Sequence, residues 1–222
     1  YIISETANQV EYRSSSTKEL MFALLNAEAS HPKLEAPDSV CAGTLSDARS
    51  VGTCSGVLIS PNLVMTAGHC FSYTKSDDDK MGHCDSMSVV FGVTEDTAGI
   101  FDKEKVYKCK SVIFSLFGQL EKFSMVDIAV FMIDRPVVGV KPAIIEDFDF
   151  NFRQKDLTSS LDVRVLQYPM GMPLSIGEGT AMIALPRNMA SLKRHVMYNT
   201  PRFILEVPSM HGSSGAPVFN AN

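Results

Sequence analysis

The chain of 222 residues has a formal net charge of −5, and hydrophobic residues make up 45% of it. This composition suits a globular protein with a sizeable core, either one large domain or two packed smaller ones. The acidic balance excludes a basic surface for nucleic acid or an anionic membrane, so we expect neither as a partner. No run approaches the ~18 apolar residues that span a bilayer.

The first element in chain order is a predicted helix over residues 16–29. Ser16 and Glu19 form a Ser-x-x-Glu capping box, and residues of high helix propensity follow it. We interpret residues 1–37 as an N-terminal extension or pro-segment that carries this short helix.

From Ser39 onward, short β-branched runs alternate with Gly, Pro, Asp and Asn, which predicts strands and turns. The predicted strands cover residues 51–60, 63–67, 88–93, 106–114, 128–133, 162–168, 180–185, 195–199, 203–207 and 216–220. Residues 136–156, rich in Pro, Asp and Phe, are predicted to be a linker. The simplest arrangement is an all-β protein of two units, residues 38–135 and residues 157–222.

A serine near the end of the chain is the first candidate for chemistry. Ser214 lies in a Gly-x-Ser-Gly string that begins at Gly212, and Ala-Pro and an apolar run follow. A hydroxyl flanked by glycines suits a nucleophile on a tight turn beneath backbone donors. Because such short strings also occur by chance in loops, the interpretation depends on partners elsewhere in the chain.

The segment from Cys54 to Cys70 supplies one partner. It opens with Cys-Ser-Gly, passes through a Pro-Asn turn and ends in Thr-Ala-Gly-His-Cys. A single histidine is more often structural than catalytic. The complete string, however, resembles the trypsin-like serine peptidase family, in which it carries the catalytic histidine between two bridged cysteines. The resemblance implies that His69 is the general base and that Cys54 and Cys70 form a disulfide.

The segment from Met125 to Pro136 supplies the other partner, because it resembles the Asp-Ile-Ala strand of the same family. An isolated Asp at the start of a strand is usually a turn residue. The chain order His69, Asp127, Ser214 nevertheless matches chymotrypsin-type peptidases and not subtilisins or α/β-hydrolases. The resemblance implies that Asp127 orients the imidazole.

The resemblance covers about residues 39–222 and implies two six-stranded antiparallel β-barrels of chymotrypsin type. The first barrel would carry His69 and Asp127, and the second would carry Ser214. The amides of Gly212 and Ser214 would form the oxyanion hole. The expected substrate is a protein or peptide, and no cofactor is expected. Only one predicted strand follows Ser214, so the second barrel is incomplete here, and we expect a continuation or a separate C-terminal fragment to complete it.

One departure from digestive peptidases bears on activation, and one similarity to another branch of the family bears on specificity. Ser213 occupies the position of the Asp that receives a newly released N-terminal ammonium, so we expect no activation by N-terminal insertion. The segment around Tyr168 is similar to a Gly-Tyr-Pro-Gly segment of the bacterial glutamyl endopeptidase branch. The positions just before the serine loop make Ser209, Met210 and His211 candidate pocket residues, and the resemblance to that branch makes cleavage after glutamate a hypothesis.

The five cysteines include no Cys-x-x-Cys pair. Besides the implied bridge at His69, Cys84 and Cys109 flank a predicted strand and can bridge its neighbours, which leaves Cys41 free or paired outside this chain. Disulfides imply an exported protein, secreted or periplasmic. The rival interpretation is a zinc site of His69, Cys70, His83 and Cys84, which would leave the serine loop and the Asp strand unexplained, so no metal is expected.

Two functions remain open at this point. The leading hypothesis is an exported serine endopeptidase that works through an acyl-enzyme on Ser214. The alternative is a catalytically silent binding or toxin-like module built on the peptidase fold.

Overall fold

The computed structural model describes residues 2–12, 15–16, 49–50, 52–71, 84–94, 99–121, 124–146, 160–184 and 202–221. Within these ranges the regular structure is β-strand with short 3₁₀ helices, and no α-helix occurs. The strands are β1 Ile2–Glu5, β2 Gln9–Tyr12, β3 Ser15–Ser16, β4 Arg49–Ser50, β5 Val57–Ser60, β6 Leu63–Thr66, β7 Ser88–Val90, β8 Ile100–Asp102, β9 Val106–Glu121, β10 Ser124–Ile133, β11 Leu161–Gln167, β12 Ser175–Ala184, β13 Arg202–Glu206 and β14 Val218–Asn220. The 3₁₀ helices are Gly68–Phe71, Cys84–Ser86, Lys103–Lys105 and Pro169–Gly171.

A five-stranded antiparallel sheet, in the order β5-β6-β10-β9-β7, carries Asp127 on β10, and His69 lies in the 3₁₀ helix that follows β6. Its centre is the long pair β9 and β10, in which Asp127 lies opposite Phe117. Strand β6 pairs with β10 as far as Thr66, which lies opposite Ala129. Because β6 ends there, the turn that follows places His69 beside the part of β10 that carries Asp127.

The main hydrophobic core lies against this sheet. Its buried members are Leu58, Val64, Phe71, Tyr107, Ala129, Phe131 and Ile133. The rings of Phe71 and Phe131 meet edge to face with centroids 5.2 Å apart, a favourable arrangement for aromatic pairs. Since Phe71 ends the 3₁₀ helix that contains His69, packing in the core also anchors the histidine turn.

A four-stranded antiparallel sheet, in the order β13-β12-β11-β14, forms the second unit. Val163 and Val165 on β11 and Ala181 on β12 are buried, while Asp162 and Arg164 alternate with the two valines and face solvent. This period of two is what a sheet with one covered face requires. The sheet brings the end of β11 and the loop between β13 and β14 close together.

The N-terminal residues form a third, three-stranded sheet, β1-β2-β8, which the sequence did not predict. Val10 and Phe101 are buried between its strands, and Lys103 Nζ lies 2.7 Å from Glu5 Oε1. Residues 2–12 thus pair with a strand of the first unit. The predicted helix over residues 16–29 lies outside the described ranges, except that Ser16 belongs to β3.

The regular structure of the described residues is mostly β-strand, and the sheets are curled. Both features are consistent with a chymotrypsin-like fold. Two barrels of six strands each remain a prediction. The part of the predicted linker that is described, residues 136–146, has no regular structure. The predicted strand at residues 195–199 lies outside the described ranges. Among the described residues no helix is long and apolar enough to cross a membrane.

Candidate active site

His69 and Asp127 make two hydrogen bonds with each other. Nδ1 of His69 lies 2.7 Å from Oδ2 of Asp127, and the backbone N–H of His69 donates to Oδ1 at 2.8 Å. For Nδ1 to donate to this carboxylate, the imidazole must carry its ring proton on Nδ1, which leaves the lone pair on Nε2. The two side chains are partly exposed, at 27% and 39%. The imidazole is therefore held in the tautomer that a general base needs.

Two neighbours fix the position of the histidine turn. A Cβ on Gly68 would overlap the backbone carbonyl of Leu116 and approach the amide of Ile128 to 3.0 Å, so only glycine lets the turn lie this close to β9 and β10. The ring of Phe117 meets the imidazole of His69 edge to face, with centroids 5.9 Å apart. The sequence did not single out Phe117, which reaches the site through its register with Asp127.

The loop from Met210 to Gly215 is closed by its own hydrogen bonds. The N–H of Ser213 donates to Met210 O at 3.0 Å, and the N–H of Ala216 donates to Ser213 O at 2.9 Å. The hydroxyl of Ser213 accepts from the N–H of Met210 at 3.3 Å. Gly212 and Gly215 have φ values of +89° and +82°, which favour glycine. Ser213 thus has a local structural role where digestive peptidases carry a charged residue.

The same loop packs against the strand end that precedes His69. The N–H of Ser55 donates to the carbonyl of Ser214 at 2.8 Å. A Cβ on Gly215 would overlap Thr66 Oγ1 and the carbonyl of Ser55 and would lie 2.7 Å from the amide of Ala67. Since Ala67 is two residues before His69, the loop and the histidine turn are neighbours in space. The hydroxyl of Ser214 and the imidazole make no hydrogen bond in the described part of the chain.

The amides predicted to form the oxyanion hole are available. Gly212 is buried and Ser214 is half-buried, and neither amide donates to an acceptor within the residues that the structure describes. The carbonyl of His211 accepts from the N–H of Met170, which directs the Gly212 N–H to the opposite side of that peptide. Two donors on the predicted nucleophile loop therefore have no acceptor among the described residues.

The candidate pocket residues lie at the start of this loop and just before it. Ser209 and His211 are exposed, and Met210 is half-buried. Gln167 at the end of β11 is buried and donates from Nε2 to the carbonyl of Pro208 at 2.8 Å. This bond connects Pro208, which precedes the loop, to the second sheet.

Both predicted cysteine pairs are present as disulfides. One joins Cys54 to Cys70, with their Cα atoms 6.3 Å apart, and the other joins Cys84 to Cys109. The first links the residue before Ser55 to the residue after His69. Atoms of Cys54, His69 and Cys70 lie close enough together to suggest a metal site, but both sulfurs are bonded to each other and offer no thiolate. Cys41 lies outside the described ranges.

Ser55 and Tyr168 belong to the site although the sequence marked neither as a contact of the nucleophile loop. Tyr168 N–H donates to Ser55 Oγ at 3.0 Å, and Ser55 Oγ donates to Gly212 O at 2.7 Å. Burial raises the pKa of the Tyr168 phenol above its usual value, and the nearby backbone of Gly92 and Val93 opposes this rise. The Tyr-Pro segment therefore connects the first unit to the loop that carries Ser214.

This fold, with a histidine bonded to an aspartate beside a Gly-x-Ser-Gly loop, defines a trypsin-like peptidase domain. The sequence profile described as Trypsin-like peptidase domain matches residues 54–222, and the chain belongs to that family. The resemblance to trypsin-like peptidases is thus confirmed, while the glutamyl endopeptidase branch remains a prediction. No curated protein matches the chain.

Solved structures resemble the chain at low sequence identity. An inactivated protease paralogue of the scabies mite, S-I1, is 21% identical with a TM-score of 0.51, and the match covers 75% of this chain and 71% of that one. The Rv3671c protease of Mycobacterium tuberculosis, in an inactive form, is 16% identical with a TM-score of 0.41, and the match covers 75% of this chain and 66% of that one. The chain thus spans just under two thirds of the Rv3671c structure. At these identities the likeness concerns the fold.

Proposed function

We propose that the chain is a serine endopeptidase that cleaves peptide bonds through an acyl-enzyme on Ser214. The observation that carries this proposal is the 2.7 Å contact between His69 Nδ1 and Asp127 Oδ2, which leaves Nε2 as a base. The packing of Gly215 against Ala67 supports it, because it keeps the serine loop beside the histidine turn.

In this mechanism His69 Nε2 takes the proton of the Ser214 hydroxyl as its oxygen attacks the substrate carbonyl carbon. The oxyanion that forms accepts hydrogen bonds from the amides of Gly212 and Ser214, each worth about 3 kcal/mol in comparable sites. The imidazolium, stabilised by Asp127, then protonates the leaving amine. Water hydrolyses the acyl-enzyme by the same proton transfers in reverse, and no cofactor takes part.

Covalent labelling tests the proposal directly. A fluorophosphonate should modify the wild-type chain at Ser214 and leave Ser214→Ala unmodified, because the reagent requires an activated serine and a site for its oxygen. Ser213→Ala is the matched control, since it removes the neighbouring hydroxyl without touching the nucleophile, and it should still be labelled. Intact mass and peptide mapping read out the result. No adduct on Ser214 would show that the chain is the silent binding or toxin-like module instead.

The finer proposal concerns the substrate side chain. The four residues before Gly212, residues 208–211, include no carboxylate, so a preference for Lys or Arg has no counter-charge there. Exposed Ser209 and His211 offer a hydroxyl and an imidazole that suit an acidic side chain next to the cleaved bond. In a peptide library we expect cleavage after glutamate to exceed cleavage after glutamine, and the hypothesis is wrong if glutamine is preferred.

Localisation and domain organisation follow from the same proposal. The two disulfides suit an oxidising compartment, so we propose export to the periplasm or the exterior. Residues 38–135 would form the unit with His69 and Asp127, residues 136–156 the linker, and residues 157–222 the unit with Ser214.

A further inference from the structure

Ser55 is a buried residue at which the two β units meet, and it makes four hydrogen bonds. Its N–H donates to Ser214 O at 2.8 Å, and its carbonyl accepts from Thr66 Oγ1 at 2.6 Å. Its hydroxyl donates to Gly212 O at 2.7 Å and accepts from the N–H of Tyr168 at 3.0 Å. At 5% exposure, water cannot take over these contacts. One hydroxyl thus satisfies a buried acceptor, the Gly212 carbonyl, and a partly buried donor, the Tyr168 N–H.

These bonds fix two peptide groups next to the predicted oxyanion donors. The carbonyl of Gly212 is held by the hydroxyl of Ser55, and the carbonyl of Ser214 is held by the N–H of Ser55. Between these two lies the peptide that carries the Ser214 N–H. Planar trans peptides leave each group few orientations once its neighbours are fixed. The direction of the Ser214 N–H therefore depends on Ser55.

The same residue also connects the loop to the histidine turn. Thr66, which donates to the carbonyl of Ser55, is three residues before His69 at the end of β6. Cys54, the residue before Ser55, is bonded to Cys70, the residue after His69. Displacement of Ser55 would thus change the distance between the base and the nucleophile loop.

We propose that Ser55 is a positioning residue for peptide hydrolysis: its hydroxyl holds the Gly212 and Ser214 amides in the orientation that receives the oxyanion, relative to His69. This inference rests on the proposed function. Alanine at this position would leave the buried Gly212 carbonyl and the partly buried Tyr168 N–H without the partner that they share, which is costly, so the loop would turn to find others. Threonine keeps the hydroxyl.

Steady-state kinetics of Ser55→Ala, Ser55→Thr and Ile133→Ala test the proposal. Ile133 is a core residue at the far end of β10 from Asp127, so its truncation destabilises the fold without touching the loop. We expect kcat of Ser55→Ala to fall about 10- to 100-fold with KM little changed, because misplaced donors weaken only transition-state binding. Ser55→Thr should recover most of that loss, and Ile133→Ala should keep wild-type kcat at a temperature where it is folded.

A spectroscopic measurement separates positioning from stability. In protein labelled with ¹⁵N-glycine, the Gly212 amide proton should move downfield when a phosphonate oxygen occupies the oxyanion hole. The downfield shift of the Gly212 amide proton should be as large in Ile133→Ala as in the wild-type chain, and it should be smaller in Ser55→Ala. It should be restored in Ser55→Thr.

The possible failures are distinguishable. If the wild-type chain forms no phosphonate adduct at Ser214, the proposed function fails and this inference fails with it. If the wild-type chain is labelled but Ser55→Ala loses no more kcat than Ile133→Ala and shows the full Gly212 shift, the role of Ser55 alone is refuted.

Discussion

Replacing Asp127 with asparagine should lower kcat for peptide hydrolysis by a factor on the order of 10⁴ while the fold is retained. The reason lies in the two bonds between this residue and His69. Oδ1 accepts from the His69 N–H, and an asparagine oxygen can keep that bond. Its NH₂ group then faces Nδ1 in place of Oδ2, so the ring must present a lone pair there and carry its proton on Nε2. An imidazole in that tautomer cannot accept the serine proton.

The measurement is kcat on the best peptide substrate, with the melting temperature measured in parallel. Asp134→Asn is the matched control, because Asp134 lies just after the same strand, is exposed and bonds only Arg135 and the Lys108 backbone within the described chain. The control should keep nearly all activity. A loss of less than tenfold in Asp127→Asn would mean that Asp127 does not set the tautomer of the base.

The contact between His69 and Asp127 was expected because two short strings, far apart in the chain, resemble segments of one peptidase family. The string around His69 also predicted the Cys54–Cys70 disulfide that the structure shows, whereas the catalytic roles of His69, Asp127 and Ser214 stay predictions. The role of Ser55 could not be predicted in this way, because its hydroxyl bonds Gly212 and Tyr168, which lie 157 and 113 residues further along the chain. Contacts of that range leave no periodic pattern.

The strands of the fold could be predicted where the local sequence favours them, but not where pairing with a distant strand decides the structure. Strand β9 was expected to end at residue 114 but continues to Glu121, since Ser115, Gly118 and Gln119 interrupt the apolar pattern while the register with β10 holds them extended. The N-terminal hairpin was missed because its pairing partner, β8, lies about 90 positions away, as in the Gln9–Asp102 contact. In both cases tertiary pairing decides what local propensity leaves open.

Replacing Gly215 with alanine, which adds a single methyl group, should also cause a large loss of kcat. With φ at +82°, alanine there would be strained, and its Cβ would also overlap Thr66 Oγ1 and the carbonyl of Ser55. Because both atoms belong to the first β unit, the clash can be relieved only by moving the nucleophile loop away from it. We expect Gly215→Ala to lose more than about 100-fold in kcat, the scale associated with a shift of about 1 Å in a reacting group.

Gly139→Ala provides a closely matched control for this prediction. Gly139 has φ of +80°, almost the same as Gly215, but a Cβ there would meet no atom within 4 Å. Its substitution should cost about 1–2 kcal/mol of unfolding free energy for the backbone conformation alone and leave kcat unchanged. Gly215→Ala should lose the same unfolding free energy for its backbone conformation, and about 1–3 kcal/mol more because its Cβ overlaps neighbouring atoms. Urea unfolding and kcat measured on both variants thus separate conformational strain from displacement of Ser214. Equal kcat values in the two variants would show that the loop does not depend on its contact with the first unit.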